Sequence, residues 1–412
     1  MLLHLLKVST LCVKVKKIMT KNSRLRVLHI IASVNRVGGG PIQALLQTLE
    51  ALKFEQEIET ISLDTPDSPW VKDFPGVVHA MGPTFKKYGY TARLSQWIEE
   101  NGYRFDVAVI HGLWNHASVG GWQGCMKAKL PYVLFTHGMM GPWFKKAHPL
   151  KHCLKQLFWL LQGRALRDAS EVLFTCEEEK RLAEGAFWGF TYTPKVVAFG
   201  AADAVPLDPT ENEAFNAILP NINNQPYLLY LSRIHKIKGC DLLLKGFAQA
   251  LKRTELQLVI AGPGDDALIN YLKESTQVLG ISDRVHWPGM LKGAAKAAAF
   301  RGAEAFILTS HHENFGIAVA EALAYGKPVL ISNQINIWRE IEAGGAGIVA
   351  PDTVEGATHV IQTWESMTSE QRLEMGRAAR SVYEANFTVE AAAKDLTAAL
   401  ECAVLNGKGN IV

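Results

Sequence analysis

The stretch ENFGIAVAEAL, residues 313–323, carries two glutamates eight positions apart, Glu313 and Glu321, on either side of a glycine. It follows a short apolar run, Ala305–Leu308, which predicts a buried strand. The pattern predicts a loop that enters a helix near Gly316. The first backbone N–H groups of a helix lack partners within it and carry the positive end of its dipole. This turn is therefore a natural site for a diphosphate.

The two glutamates have different surroundings. Glu321 lies five residues into the predicted helix, roughly 7 Å along its axis at about 1.5 Å per residue. That distance suits a carboxylate that accepts from ribose hydroxyls while phosphates lie at the helix end, and Glu313 can reach a sugar on the other side. A solvated helix face explains many glutamate pairs. Glu321, however, lies inside the apolar run FGIAVAEALA, and because an unpaired buried carboxylate is costly, we predict a partner for it.

Apolar runs alternate with helical segments on both sides of this stretch. The predicted strands are Val27–Ile31, Val107–Ile110, Tyr132–Phe135, Glu171–Phe174, Val196–Ala198, Tyr227–Leu231, Leu256–Ala261, Val285–Trp287, Ala305–Leu308 and Pro328–Ile331. Such alternation indicates parallel βαβ units. A Pro- and Asn-rich stretch, residues 205–225, separates two sets of them. We therefore predict two Rossmann-like, doubly wound α/β domains that face each other across a ligand cleft.

The predicted organisation has five segments. They are a basic, disordered N-terminal arm (1–24), an N-terminal Rossmann-like domain (25–205), a linker (206–225), a C-terminal Rossmann-like domain (226–388) and a final helix that crosses back towards the first domain (389–412).

Composition narrows the class of protein. The 412 residues are 48% apolar and 20% charged, and the net charge of +3 gives no general case for nucleic-acid binding. No acidic residue precedes Glu50, so the N-terminal segment is basic. We expect residues 1–18 to be a disordered arm, a misplaced start or, because of this positive charge, an arm that meets anionic lipid. Six isolated cysteines favour a reducing, cytoplasmic location, and no run is long and apolar enough to predict a transmembrane helix.

A second group of candidate residues lies in SRIHKIKG, residues 232–239. Arg233 ends a predicted strand and Lys238 begins the next helix, so both should project from the carboxyl edge of the sheet. A diphosphate leaving group gains negative charge as its bond to the sugar breaks, and these two cations can stabilise that charge without a metal. Asp265 and Asp266 read as the start of a helix rather than as metal ligands.

The first domain has a different glycine loop, Gly38–Gly40. It lacks the G-x-G-x-x-G spacing of nicotinamide enzymes, and no acidic residue is predicted to end a second strand about 20 residues on. Gly39 and Gly40 still allow a close approach of the backbone to a ligand. Further along, His137 follows a buried strand, and HGLWNH, residues 111–116, ends the strand before it. Trp114, Asn115 and His116 are therefore candidates for binding a ligand at the edge of the first domain's sheet.

Together these motifs resemble family 4 of the retaining glycosyltransferases, which have the GT-B fold. The Arg233–Lys238 pair, the Glu313–Glu321 run, the loop at 38–40, the Gly262–Gly264 turn and the Trp287–Gly289 step carry the resemblance. It implies a nucleotide-diphosphate sugar donor bound mainly by the C-terminal domain, an acceptor bound mainly by the N-terminal one, and retention of anomeric configuration. Trp114, Asn115 and His116 are then candidates for the acceptor side. The loop THGMMGPW, residues 136–143, is similar to the histidine loop of members that build bacterial surface polysaccharides.

The resemblance assigns roles to individual residues. It implies catalytic roles for His137, Arg233, Lys238 and Glu313. It implies donor binding by Gly39, Gly40, Arg233, Lys238, Gly262, Pro288, Met290, Leu291, Glu313, Asn314, Phe315, Gly316 and Glu321. No cofactor and no metal are expected. Two departures from the family pattern are FGAAD at 199–203, where many members have Asn-Gly-x-Asp, and Asn314 in place of a small or apolar residue.

The acceptor is the least defined part. We predict a glycan or a polyprenyl-linked acceptor in surface polysaccharide synthesis. Residues 145–160 mix basic and apolar side chains at helical spacing, which fits peripheral membrane contact or an ordinary amphipathic core helix. The alternatives are a GT-B-fold nucleotide-sugar epimerase, a glycogen- or sucrose-type enzyme with a soluble acceptor, and a non-catalytic sugar-nucleotide-binding protein.

Overall fold

The computed structural model describes residues 24–141, 149–222, 225–250 and 255–409. These residues form two compact units. The first comprises the chain up to Val197 together with the C-terminal helix from Ala393, and the second is Ala198–Ala392. The predicted basic arm lies outside the described residues, except for Arg24.

The first unit contains a seven-stranded parallel sheet in the order β3-β2-β1-β4-β5-β6-β7. Its strands are β1 (Leu25–Ile31), β2 (Gln56–Ser62), β3 (Val77–Ala80), β4 (Val107–His111), β5 (Tyr132–Phe135), β6 (Glu171–Phe174) and β7 (Pro194–Val196). Its helices are α1 (Gly40–Leu52), α2 (Pro69–Lys72), α3 (Ala92–Asn101), α4 (His116–Ala128), α5 (Pro149–Arg167) and α6 (Glu177–Ala183). The central strands are buried along their whole length, as expected for a sheet covered on both faces.

The second unit contains a six-stranded parallel sheet in the order β10-β9-β8-β11-β12-β13. Its strands are β8 (Tyr227–Leu231), β9 (Gln257–Ala261), β10 (Val285–Gly289), β11 (Ala305–Leu308), β12 (Val329–Ser332) and β13 (Gly347–Ala350). Its helices are α7 (Glu211–Ile218), α8 (Cys240–Ala250), α9 (Asp266–Val278), α10 (Gly293–Gly302), α11 (Ile317–Ala324), α12 (Trp338–Ala343), α13 (Val354–Ser366), α14 (Ser369–Asn386) and the beginning of α15 (Val389–Gly409).

The prediction of two doubly wound α/β units is confirmed. In each sheet the strand order reverses once, between β1 and β4 in the first unit and between β8 and β11 in the second. Ligands bind at such switch points, outside the carboxyl ends of the strands. The loops that follow these four strands contain most of the predicted site residues.

The division of the chain differs from the predicted linker at 206–225. Much of this stretch is folded into the second unit, because α7 packs against α10 and its Phe215 is buried. Glu211 is only 1% exposed, and its carboxylate pairs with Nε of Arg301 at 2.7 Å. The unit begins at Ala198, so Pro- and Asn-rich composition here marks a packed surface helix with its turns.

Three strands were not predicted: β2, β3 and β13. The sequence of β2, QEIETIS, is largely polar, whereas β3 and β13 are four-residue strands at sheet edges. The expectation that no acidic residue ends a second strand about 20 residues beyond the glycine loop is therefore wrong, because Asp64 comes two residues after β2. Among the helices of the described segments, none combines the length and apolarity needed to span a bilayer.

Candidate functional site

The switch point of the second unit brings together the loops after β8 and β11. The N–H of His311 donates to the carbonyl of Ile237 at 2.9 Å, and the hydroxyl of Thr309 donates to the carbonyl of Gly239 at 2.8 Å. Gly239 has φ +65°, and a Cβ atom there would lie 2.1 Å from the Thr309 carbonyl oxygen. Only glycine permits this close approach, which holds the neighbouring Lys238 beside the second loop.

Lys238 and Glu313 meet across these two loops. The Lys238 ammonium forms an ion pair with Oε2 of Glu313, and the Lys238 residue is only 8% exposed. The sequence placed Lys238 at the start of a helix, whereas it ends a 3₁₀ turn, Lys236–Lys238, just before α8. Arg233 follows β8 on the same edge of the sheet and is exposed. A diphosphate bound there would meet cationic groups from both ends of one loop.

The predicted helix entrance at Gly316 is present. Gly316 has φ +83° and precedes the first residue of α11. Glu313 is fixed by its backbone, which accepts from the N–H of Asn336 at 3.1 Å and donates to the carbonyl of Gln334 at 3.0 Å. The side-chain oxygen of Asn314 accepts a longer hydrogen bond, of 3.4 Å, from the side-chain amide of Asn336.

The buried side chain of Phe315 anchors this loop. It is 2% exposed and its ring meets Phe199 and Phe387 edge to face, with centroids 5.7 and 5.6 Å apart. Such contacts hold a loop rigidly. The side chain of Phe315 therefore supports the loop, and donor binding by its backbone amide stays a prediction.

Glu321 has the partner that its apolar surroundings predict. Both of its carboxylate oxygens accept from the Lys296 ammonium, at 2.7 and 2.8 Å. Both residues line a pocket of about 430 Å³, together with Phe300 and Tyr325. Lys296 was missed by sequence reasoning, although it is the one charged residue in the alanine-rich run 293–300.

The predicted base-binding backbone lies at the edge of the same sheet. β10 ends at Gly289, with an irregular register against β9 that accommodates Pro288. Met290 is 52% exposed and Leu291 is buried. Gly262, at the end of β9, has φ +142°, and a Cβ there would lie 1.8 Å from the carbonyl oxygen of Ser232. This glycine therefore lets the β8 and β9 loops touch.

In the first unit, the loop after β1 leads to Gly39, which has φ +83° and precedes α1, and to Gly40, the first residue of α1. Asp64 holds the beginning of this loop. Its carboxylate accepts from the hydroxyl of Ser33 at 2.7 Å and from the N–H of Val34 at 2.8 Å. Asp64 therefore acts within the protein at this position, in contrast to the ribose-binding acid of nicotinamide enzymes.

The loop that carries His137 is clamped by one buried carboxylate. Glu179 accepts at Oε1 from the Thr136 hydroxyl (2.6 Å) and the Gly138 N–H (2.5 Å), on either side of His137. It accepts at Oε2 from the N–H and the hydroxyl of Thr175, both at 2.7 Å. His137 itself has φ +50°, an uncommon conformation for a non-glycine residue. Glu179 was also missed, because EEEKR reads as a solvated helix face.

His137 is not alone in this part of the unit. Its Nε2 atom lies 3.0 Å from Nδ1 of His111, whose Nε2 atom lies 2.9 Å from Nδ1 of His29. Burial lowers the pKa of His111 to about 3 and the pKa values of His29 and His137 well below their usual value, with His111 adding to the effect on the other two. All three rings are therefore neutral at physiological pH.

The predicted acceptor-side residues are internally engaged. The side-chain oxygen Oδ1 of Asn115 caps α4 by accepting from the N–H of Ala117, and Nε2 of His116 lies 2.8 Å from the backbone carbonyl oxygen of Thr91. Trp114 has φ +67°, and its indole N–H donates to the carbonyl of Met139. An acceptor role for these three residues stays a prediction. Pro142 and Trp143 lie outside the described residues.

A family model described as "Glycosyl transferases group 1" matches residues 211–382, and one described as "Glycosyl transferase 4-like domain" matches residues 41–198. The chain belongs to family 4 of the glycosyltransferases. The two matched ranges of this family 4 chain contain every predicted site residue except Gly39 and Gly40.

Two curated relatives resemble parts of this family 4 chain. Mannosylfructose-phosphate synthase of Agrobacterium fabrum is 32% identical over 130 residues, which are 30% of this chain and 29% of the relative. Alpha-monoglucosyldiacylglycerol synthase of Streptococcus pneumoniae is 39% identical over 104 residues, 25% and 23% of the two chains. The alignments span less than half the length of the curated relatives that the chain matches.

Solved structures support the fold of the whole chain. Anabaena HepE, crystallised with UDP and glucose, superposes with a TM-score of 0.73 at 18% identity, covering 92% of this chain and 100% of HepE. Sucrose-phosphate synthase from Thermosynechococcus elongatus has the same TM-score and identity, with coverage of 91% and 98%. The fold is therefore that of the GT-B glycosyltransferases.

Proposed function

We propose that this protein transfers a sugar from a nucleotide-diphosphate sugar to a glycan or lipid-linked acceptor, with retention of configuration and without a metal. One arrangement carries the proposal: Lys238 and Glu313 in contact at the entrance of α11, with Glu321 one and a half turns further along that helix. The names of its relatives denote sugar transfer, and HepE has been crystallised with UDP-glucose.

The donor is expected to lie along α11. Its diphosphate would meet the backbone amides of residues 314–316, the Lys238 ammonium and the Arg233 guanidinium. Its ribose hydroxyls would bind Glu321, which Lys296 keeps oriented. When the donor binds, the Lys238 ammonium turns from Glu313 to the phosphate. The Glu313 carboxylate is then left near the sugar. The cationic groups and the helix end then stabilise the leaving diphosphate.

Retention is proposed to arise by attack from the face that the diphosphate leaves. The leaving phosphate takes the proton of the acceptor hydroxyl as the new bond forms, so no covalent enzyme intermediate is required. An NMR analysis of the first-formed anomer tests this step. A product of inverted configuration contradicts it.

The donor assignment is tested by substitution. We expect Lys238→Ala to lower kcat by about 100-fold or more, as for removal of one group that stabilises developing negative charge. Lys236→Ala is the matched control, because this exposed lysine lies on the same turn. Turnover is measured with a panel of UDP-, GDP-, ADP- and TDP-sugars, in excess chelator and with added Mg²⁺. Normal turnover in Lys238→Ala, or turnover only with the metal, contradicts the corresponding part of the proposal.

We propose that the protein binds its acceptor at an anionic membrane surface, the inner face of the cell membrane. Four leucines on one face of α5 are exposed by 58–83%: Leu150, Leu154, Leu157 and Leu160. The other face is buried through Trp159 and Leu166. The helix contains four basic residues and no acidic one. A cationic helix with an exposed apolar face binds at lipid interfaces. The preceding residues Lys145, Lys146 and His148 lie outside the described residues.

Vesicle co-sedimentation at low salt tests this contact. We expect binding to vesicles of phosphatidylcholine containing about a third of phosphatidylglycerol, and binding weaker by about tenfold for the double variant Leu154→Ser, Leu157→Ser. Leu373→Ser is the control, because Leu373 is 59% exposed on α14 of the other unit. Equal binding by the double variant and the control contradicts a role for α5.

A further inference from the structure

The exposed face of α5 is an open apolar groove of about 530 Å³ on the surface of the first unit. Its leucines are exposed by more than half, although large apolar side chains are usually buried. A single helix on a membrane can roll about its long axis, so this groove alone does not fix how the unit lies on a lipid surface. The side chains that line the groove are Leu154, Leu157, Phe158, Leu160, Leu161 and Arg164.

A hairpin at residues 85–90 borders the groove on one side. Its two end residues, Phe85 and Tyr90, exchange both backbone hydrogen bonds, at 2.9 and 3.3 Å. The Tyr88 ring meets the Phe158 ring of the groove edge to face, with centroids 5.7 Å apart. The Tyr88 carbonyl accepts from the first N–H of α4 at 2.8 Å. The hairpin is thus anchored beside α5, while Phe85 and Tyr90 are 64% and 53% exposed.

The loop 184–193 connects α6 to β7 and is anchored on α5 by two aromatic side chains. The Phe187 ring lies against the ring of the buried Trp159, with centroids 4.6 Å apart. Phe190 packs so closely on α5 that a Cβ atom at Gly163 would lie 2.3 Å from its ring. Both phenylalanines are partly buried against the core of the first unit. These contacts fix the position of the loop relative to α5.

Trp188 lies between these two anchors in the chain and is 75% exposed. The loop and the hairpin reach α5 from different sides. At about 100° per residue, Gly163 lies roughly 140° around the helix from Phe158. The exposed leucines occupy the wider arc between these two positions, and Trp159 lies in the narrower one. The leucine face of α5 therefore has a loop with an exposed aromatic ring on each side.

The charges of the three segments complement an anionic surface. The hairpin, α5 and the loop together contain six basic residues and one acidic residue, whereas the whole chain has a net charge of only +3. Lys86, Lys87 and Arg164 are exposed, and Arg167 pairs with the neighbouring Asp168. Lysine and arginine near an anionic bilayer strengthen binding, and tryptophan and tyrosine concentrate at its interface. This combination fits an anionic lipid bilayer.

We propose that the hairpin 85–90, α5 and the loop 184–193 form one docking face for an anionic lipid bilayer, in which Phe85 and Trp188 enter the headgroup region on either side of α5. The proposal rests on the membrane contact proposed for α5 and adds two contacts to it. Three contacts define a plane, so they fix the orientation of the first unit on the membrane, which one helix does not.

Quenching of tryptophan fluorescence by brominated lipid tests whether Trp188 enters the bilayer. The vesicles are phosphatidylcholine with about a third of phosphatidylglycerol, with or without bromine on the phosphatidylcholine chains. The chain has ten tryptophans, so the emission of Trp188 is the difference between the unsubstituted protein and Trp188→Phe. We expect this emission to be quenched by the brominated vesicles. Equal emission in both kinds of vesicle overturns the proposal.

Co-sedimentation with the same vesicles tests both loops. We expect Trp188→Ser and Phe85→Ser each to weaken binding by about tenfold, because withdrawing an aromatic ring from water contributes about that factor. The double variant Lys86→Gln, Lys87→Gln should weaken binding to these vesicles and not to pure phosphatidylcholine. Tyr271→Ser is the matched control, since Tyr271 is 58% exposed on α9 of the second unit. All these side chains are exposed, so melting temperatures should stay within about 2 °C.

Equal binding by Trp188→Ser, Phe85→Ser and Tyr271→Ser overturns the proposal, and weaker binding by the α5 double variant would then leave the contact of that helix standing alone. Self-association that Trp188→Ser abolishes, without binding to vesicles, assigns the face to a second copy of the chain and also overturns the proposal. Sugar transfer to a soluble acceptor needs no membrane. Its absence refutes the proposed function, and the vesicle results still decide the docking face.

Discussion

Replacement of Glu179 by glutamine should destabilise the first unit and disturb the His137 loop. The carboxylate accepts four hydrogen bonds of 2.5–2.7 Å and is 4% exposed. Each such bond to a carboxylate is worth about 1.5–3 kcal/mol. In Glu179→Gln an N–H₂ group replaces one carboxylate oxygen. This group faces donors from which that oxygen accepts in the unsubstituted protein. The loss of one or two bonds lowers the free energy of unfolding by about 3 kcal/mol.

The expected change in melting temperature is large enough to measure. For a unit of about 150–250 residues, about 3 kcal/mol corresponds to roughly 6–12 °C. Glu177→Gln is the control, because Glu177 lies on the same helix, α6, its side chain is 69% exposed and it forms an ion pair with Lys180. Exposed pairs of this kind contribute less than about 0.5 kcal/mol.

Differential scanning calorimetry at neutral pH measures both variants, and kcat is determined on the folded proteins. We expect kcat of Glu179→Gln to fall as well, since Thr136 and Gly138 lose their common anchor on either side of His137. If Glu179→Gln melts within about 2 °C of Glu177→Gln, the four bonds do not carry the stability assigned to them, and the reasoning from buried acceptors is refuted.

Three further predictions concern other parts of the two units. Gly239→Ala should lower the melting temperature of the second unit by several degrees, because its Cβ would lie 2.1 Å from the Thr309 carbonyl oxygen; an unchanged melt in calorimetry contradicts this. Glu321→Gln should raise the KM for the donor by about tenfold with kcat within about threefold, since ribose binding is common to ground and transition states; steady-state kinetics with Lys296→Met as a companion variant checks it. Because burial lowers the pKa of His111 to about 3, the unfolded ring takes up its proton first, and stability is lost as pH falls from about 6.5, by up to about 1.4 kcal/mol per pH unit. The melting temperature of His111→Phe should therefore fall less steeply between neutral pH and about pH 5 than that of the unsubstituted protein.

The buried strands were the most predictable elements. Tyr132–Phe135, Glu171–Phe174, Tyr227–Leu231 and Ala305–Leu308 have the predicted bounds, because a central parallel strand is covered on both faces and reads as an uninterrupted apolar run. Edge strands lack this signal. The four-residue β3 (Val77–Ala80) is half exposed, so burial does not constrain its side chains to an apolar pattern.

The linker shows a different limit of sequence reasoning. Residues 206–225 are rich in Pro and Asn, which is typical of connections between domains. The structure instead packs α7 onto the second unit through Phe215 and through the ion pair of Glu211 with Arg301. The partner lies 90 positions away, and no local pattern reveals such a pair.

The same distinction explains which site residues were predictable. Glu313, Gly316 and Glu321 lie within nine positions, and a helix relates their spacing along the chain to distances in space. Glu179 and Lys296 bond to Gly138 and Glu321, which lie 41 and 25 positions away from them, and each lies in a helix whose own sequence has another explanation. Ligand-binding residues of a single turn can thus be predicted from the sequence. The residues that hold the turn in place come from distant parts of the chain and depend on how the strands pack. Substitutions of this second group are consequently the sharper test of the structure, because the sequence motif would predict no effect for them.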